Sequence, residues 1–224
     1  MTKPVALIVG AGPGISLAFA EALVKSGYAV GLASRNLEKL RPLGESIGAM
    51  PFTVDASSAD SIVRLFSMVD QALGIPEVVL FHASAQVRGE LLSLDMTAAA
   101  DAIQTTAIGA LVTAQEAARR MLPRGRGSLL FTGATAGIKG FARSSVFAMG
   151  KFALRGLAQS LARELGPKGI HVVHFVIDGG VVQGSDDLEA FTPRAIAQSY
   201  MAGIAQPRGA WSWEIELRSS VEPF

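Results

Sequence analysis

The string Gly10-Ala11-Gly12-Pro13-Gly14-Ile15 follows a short apolar run and opens an apolar segment of helical spacing. Glycines at such a turn let a backbone approach a pyrophosphate, and the helix beginning after them aims its first N–H groups at the same point. Gly10, Gly12, Gly14 and Ile15 are therefore candidate phosphate contacts. The turn alone suits S-adenosylmethionine, a flavin or a nicotinamide dinucleotide. The end of the next apolar run narrows the choice. Proteins that grip an unphosphorylated ribose usually carry Asp or Glu there, whereas this chain has Ser34-Arg35, a hydroxyl and a guanidinium suited to a 2′-phosphate. That favours NADP(H), with a solvated Arg35 at a helix start as the plain alternative. A second constellation lies at Phe147-Ala148-Met149-Gly150-Lys151. Lysine is rarely buried without a partner, so Lys151 in a strongly apolar helix is expected to face a cleft.

Composition limits what else the chain can do. Its 224 residues, half apolar and 17% charged, suit one α/β domain spanning 1–224. The absence of cysteine excludes disulfides and thiolate metal sites, and His82, His171 and His174 are too scattered for a metal cluster, so no metal is expected. A net charge of +1 with no Lys or Arg run argues against nucleic acid or an anionic membrane as partner. No apolar stretch approaches the roughly 20 residues that cross a bilayer, and Val5 to Val9 is short for a secretory signal. A cytoplasmic location is expected.

These residues need a scaffold, and the hydropathy pattern supplies one. Strands are expected at Val5–Val9, Ala29–Ala33, Phe52–Val54, Val78–His82, Ser128–Thr132, His171–Ile177 and Trp211–Leu217. Helices are expected from Ile15 to Ser26, after Asn36, after Ser57 or Ser58, from about Thr97 to Met121, from Ser145 to Leu165 and after the cap Thr192-Pro193. Alternation of this kind predicts a doubly wound, mainly parallel seven-stranded sheet with helices on both faces, a Rossmann-type domain. Ligands then lie beyond the carboxyl ends of the strands. The residues that end the runs are Gly10, Gly12 and Gly14, Ser34-Arg35, Asp55, Ala83-Ser84-Ala85, Gly133-Ala134-Thr135 and Asp178-Gly179-Gly180. One cleft would collect them.

Over nearly its whole length the chain resembles the short-chain dehydrogenase/reductase family. The likeness is densest from Gly127 to Gly180: Ser128 to Ala134 resembles the family's fifth strand and serine, Phe147 to Lys151 its Tyr-x-x-x-Lys, and Leu157 to Ile170 the helix and turn that follow. Phe81-His82-Ala83-Ser84 is similar to the Asn-Asn-Ala-Gly of its fourth strand, and Asp55 to its adenine-contacting aspartate. The resemblance implies an NADP-dependent oxidoreductase moving a hydride to or from a small carbonyl, alcohol or activated C=C substrate. Cofactor contacts would come from Gly10, Gly12, Gly14, Ile15, Ser34, Arg35, Asp55, Ala83, Ser84, Lys151 and Gly179. A homodimer or homotetramer is also implied, formed through the helices near Thr97–Met121 and Ser145–Leu165.

At the catalytic positions that the resemblance defines, Lys151 alone is kept. Thr106 stands for the family's asparagine, Ala134 for its serine and Phe147 for its tyrosine. Thr132, Thr135 and Ser144 are candidate replacement hydroxyls, and His82 is expected in a structural hydrogen bond. Two further readings are a non-catalytic NADP-binding sensor or assembly subunit and an S-adenosylmethionine-dependent methyltransferase. The segment 181–206, with Asp186-Asp187, Phe191, Tyr200 and Met201, is expected on the substrate side.

Overall fold

In the computed structural model, which describes residues 3–184 and 190–220, seven parallel strands form one sheet in the order β3-β2-β1-β4-β5-β6-β7. The strands are β1 (Val5–Val9), β2 (Ala29–Ser34), β3 (Met50–Thr53), β4 (Pro76–Phe81), β5 (Gly127–Thr132), β6 (Ile170–Asp178) and β7 (Glu214–Arg218). Side chains alternate between the faces of a strand, so a strand buried on both sides must be apolar throughout. β1 meets that demand: Val5, Leu7 and Val9 join one core layer, while Ala6 and Ile8 join the other. β4 divides likewise, with Val79 and Phe81 on the first face and Val78 and Leu80 on the second.

The helices cover these faces as the crossovers require. Helix α3 (Ala59–Ala72), α5 (Gly109–Met121) and α6 (Ser145–Leu165) pack on the first, through Phe66, Ala114 and Leu154 among others. Helix α1 (Ile15–Lys25), α2 (Leu37–Ile47) and α7 (Pro193–Ile204) pack on the second, through Phe19, Leu40 and Ile196. Asn36, Ser58 and Thr192 cap their helices with side-chain oxygens, contacts worth about 1 kcal/mol each.

Three local expectations change. The long helix over Thr97–Met121 is interrupted: α4 (Met96–Ile103) passes through a π-helical turn at Gln104–Ile108 before α5 begins. Gly109 closes that turn against the backbone of Ala56, where an added Cβ would lie 2.1 Å from the Ala56 carbonyl oxygen. The last strand is also shorter and later than Trp211–Leu217, because Trp211 stacks on His171 outside the ladder. Tyr200, expected near the substrate, is instead fully buried in the second core layer between Phe19 and Phe175. Asp186 and Asp187 lie outside the described residues. No helix among the described residues is long and apolar enough to cross a membrane.

Candidate functional site

Strand order reverses between β1 and β4, and the crevice beyond their carboxyl ends opens there. One cavity of about 350 Å³ is walled by Gly10, Ser34, Arg35, Asp55, Ala83 and Ser84 among others. A larger cleft of about 800 Å³ is walled by Ile15, Ala134, Ser144, Phe147, Lys151 and Gly179 among others. The two share His82 and Ser84, so they meet over the end of β4.

The glycine turn fits a phosphate group on its own geometry. Gly10 has φ 91°, and a Cβ there would lie 2.3 Å from the Ala83 backbone nitrogen, so only glycine allows β1 and β4 to close. Gly12 differs: a Cβ would meet nothing within 4 Å, leaving open space above the turn before α1. The buried hydroxyl of Ser16 accepts from the Gly12 N–H and donates to the Gly12 carbonyl, each at 2.9 Å, and so braces the turn from within α1. Arg35 is exposed at the outer end of the cavity. Asp55 accepts from the Ser57 hydroxyl at 2.7 Å and its N–H at 2.9 Å; these bonds, then the Arg35 charge, hold its carboxyl below the usual range. Ser58 is the cap of α3, its side chain accepting from the Ser61 N–H.

At the opposite end, the period of α6 puts Lys151 above Leu154 and Ala158 on its core-facing stripe, and Lys151 is only 3% exposed. Its ammonium donates to the Thr132 carbonyl at the end of β5, 2.8 Å away. No carboxylate pairs with it among the described residues, and burial lowers its pKa to about 8. Phe147, one turn earlier, has its ring centre 5.7 Å from Nζ. His82 lies 2.8 Å from the Thr132 hydroxyl, which in turn lies 2.9 Å from the Tyr200 hydroxyl. Burial first, then the Lys151 charge, lowers the His82 pKa to about 4, which leaves it neutral and structural near pH 7.

The candidate replacement hydroxyls separate. Thr132 is engaged with His82 and Tyr200, and Thr135 donates to Asp178 at 2.6 Å. Ser144 remains: it lines the cleft beside Phe147, and its side chain makes no cap bond at the start of α6. Thr106 is not on the cleft wall. It is 1% exposed in the π turn and accepts from the Ala85 N–H at 3.2 Å, while its neighbour Thr105 lines the smaller cavity. Gly12 and Gly14 stand on the turn without lining either space. Arg88 and Arg143 also line the large cleft and were not singled out by sequence. Arg143 is the one non-glycine residue with positive φ among the described residues, at 62°, a conformation that costs an L-residue about 1–2 kcal/mol. Loop arginines carry no periodicity, so sequence offered no signal for either.

The sequence model of the short chain dehydrogenase family matches residues 4–186, most of the chain and the whole of this site. The chain belongs to the short-chain dehydrogenase family. Membership makes it an oxidoreductase and removes the methyltransferase alternative. An uncharacterized oxidoreductase of Staphylococcus aureus (strain USA300) is 26% identical, covering 97% of this chain and 98% of its own. The human 3-oxoacyl-[acyl-carrier-protein] reductase is 26% identical over 75% of this chain and 72% of its own. A crystal structure of a short-chain dehydrogenase from Rhodopseudomonas palustris superimposes with TM-score 0.85 and 33% identity, covering 99% of both chains. A metagenomic short-chain oxidoreductase crystallised with NADP has TM-score 0.87 at 24% identity over 99% of both chains, which bears on the fold.

Proposed function

We propose that the protein is an NADP-dependent oxidoreductase that acts on a small carbonyl, alcohol or activated C=C compound and draws the accompanying proton from Lys151. The observation that carries this reading is one crevice with Arg35 at one end and Lys151 at the other, joined across His82 and Ser84. Its extent and chemistry suit a dinucleotide: Ser34 and Arg35 at the 2′-phosphate, Asp55 near the adenine, and the turn at Gly10, Gly12 and Gly14 under the pyrophosphate. Ala83 and Ser84 would flank the adenosine, and Ile15, Lys151 and Gly179 the nicotinamide half. When bound, NADP(H) supplies or accepts the hydride.

The chain's own residues orient the reactants and move a proton. By the family resemblance, Ala134 and Phe147 occupy the positions of its serine and tyrosine, and neither side chain can donate. Lys151 spends one N–H on Thr132 and keeps two more for the ribose and the reacting oxygen. With its pKa lowered to about 8 by burial, the ammonium is a stronger acid than an ordinary lysine yet still protonated at neutral pH. In reduction its proton passes to the new alkoxide, directly or through water, and solvent restores it; Ser144 positions the carbonyl oxygen. A positioned acid supplies roughly 10² to 10⁴-fold, whereas orientation of the reactants is worth about 7–11 kcal/mol, so turnover survives an imperfect donor.

The subunits are proposed to associate as a homodimer or homotetramer through α5 and α6, whose outer faces leave Leu111, Met149 and Phe152 between 44% and 62% exposed. The test of the main reading is titration of nucleotide-free protein with NADPH and NADH at fixed salt, in wild type and Arg35→Gln. NADPH is expected to bind at least tenfold more tightly, and Arg35→Gln to remove that preference. Failure to bind either nucleotide refutes the reading. Tight binding without turnover of any carbonyl panel would instead support the sensor or assembly role.

A further inference from the structure

The walls of the large cleft carry three cations, Arg88, Arg143 and Lys151, and no Asp or Glu among the described residues. Lys151 is committed to Thr132 and the reacting centre. The two arginines are not accounted for. Some arginines pair with carboxylates, as in Arg120 with Asp70 and Glu116 or Arg155 with Glu214, whereas others such as Arg41 and Arg64 stand exposed away from either cavity. Arg88 and Arg143 have no such partner among the described residues, and Glu90, two residues from Arg88, is exposed and off the cleft wall.

Their placement is fixed by backbone. Arg88 sits on the loop that follows β4 and Arg143 on the loop that leads into α6. The N–H of Gly89 donates to the Arg143 carbonyl at 3.1 Å and ties the two loops together at this point. Arg143 is held in left-handed backbone that a glycine or asparagine would adopt more readily. An unfavourable backbone at a cleft, carrying a charged side chain with no protein counter-ion, signals a functional constraint. Guanidinium forks match the geometry of carboxylate and phosphate, and a groove lined by one sign of charge concentrates the opposite one. Phe141, two residues before Arg143 on the same loop and the same wall, offers an apolar surface for a short carbon chain.

We propose that the cleft selects substrates carrying a terminal carboxylate or phosphate, held by Arg88 and Arg143 while the carbonyl or alcohol carbon lies toward Lys151. This rests on the reading of the cleft as a hydride-transfer site, but its binding test stands apart from turnover. The probes are acetoacetate, dihydroxyacetone phosphate and the neutral methyl acetoacetate, titrated into NADPH-loaded and nucleotide-free protein. Wild type is expected to bind at least one anion tenfold or more tightly than the ester, with the preference shrinking as salt rises. The stronger of the two anions identifies carboxylate or phosphate as the recognised group. The Arg88→Gln/Arg143→Asn double variant is expected to lose the preference while retaining wild-type NADPH affinity. That retained affinity reports an intact fold, and asparagine tolerates the left-handed backbone at 143. Equal binding of anions and ester by wild type, or a preference that persists in the double variant, overturns the proposal. Anion preference in a protein that binds no NADPH would uphold it and refute the cofactor reading instead.

Discussion

Replacing Lys151 by methionine separates the cost of the buried ammonium from its use. In the folded protein burial lowers the Lys151 pKa to about 8, against about 10.4 for an unperturbed lysine. The folded pKa lies below the unfolded one, so the native state loses its proton first as pH rises. Stability therefore increases between the two values and is lowest, as far as this group is concerned, at neutral pH. Integrating the linkage relation from about pH 7 to about pH 9.5 gives a gain of about 2 kcal/mol from Lys151 alone. Lys151→Met has no proton to lose and should lack that gain. Other groups also titrate in this window, but they are common to both proteins, so the quantity to compare is the difference in slope. Urea unfolding of wild type and variant at several pH values measures it, with m-values checked for constancy. Loss of the bond to the Thr132 carbonyl opposes relief of the buried charge, so the neutral-pH stability of the variant is expected to stay within about 2 kcal/mol of wild type. Carbonyl reduction is expected to fall by at least tenfold in the variant, and in wild type to decline as pH rises through about 8. Parallel slopes for the two proteins would refute the claim that Lys151 is a desolvated cation. Undiminished reduction by Lys151→Met would refute its role as proton source.

Further outcomes follow from single contacts. Phe147→Tyr puts a phenol beside the Lys151 ammonium, which lies 5.7 Å from the present ring centre, and reduction of a bound carbonyl should rise by about ten- to a hundredfold; an unchanged rate would mean that no donor is missing. Gly12→Ala should leave the melting temperature within a few degrees of wild type, roughly 1 kcal/mol, yet weaken NADPH binding at least tenfold, because its Cβ meets only open space. Gly10→Ala, with its Cβ 2.3 Å from backbone, should instead destabilise by about 2 kcal/mol or more; equal effects at the two positions would contradict the assignment of open space to the ligand. Tyr200→Phe removes the buried partner of the Thr132 hydroxyl and should cost about 1–2 kcal/mol in chemical denaturation, and a neutral result would show that the His82 link alone satisfies Thr132.

The sequence by itself determined the sheet, its parallel sense and the line of residues along its carboxyl edge. Short, fully apolar runs ended by glycines, such as Val5–Val9, suit strands buried on both faces, and crossover helices between them give right-handed parallel connections. Gly10, Ser34, Arg35, Asp55, Ala83, Ser84, Ala134, Phe147, Lys151 and Gly179 were legible for that reason: each ends a strand or lies on a helix whose period is clear, and each lines one of the two spaces. Thr106 was legible as a position in a pattern but not in its surroundings, since the π turn that carries it, and the approach of Gly109 to Ala56 far along the chain, leave no mark in the periodicity. Tyr200 was misplaced because a helix after β6 shows its apolar stripe in sequence without showing which face of the sheet it covers. Only tertiary structure decided which hydroxyls are engaged. Thr132, Thr135 and Ser144 are equivalent donors on paper, yet His82 and Tyr200 claim the first and Asp178 the second, leaving Ser144 at the cleft. The arginine pair was decided in the same way: Arg88 and Arg143 are 55 residues apart, and they share one wall because their loops meet, through the Gly89-to-Arg143 backbone hydrogen bond and the packing of Val87 with the cluster that holds Val146. Periodicity records what a residue's own element buries; contacts between loops depend on how the elements close around them.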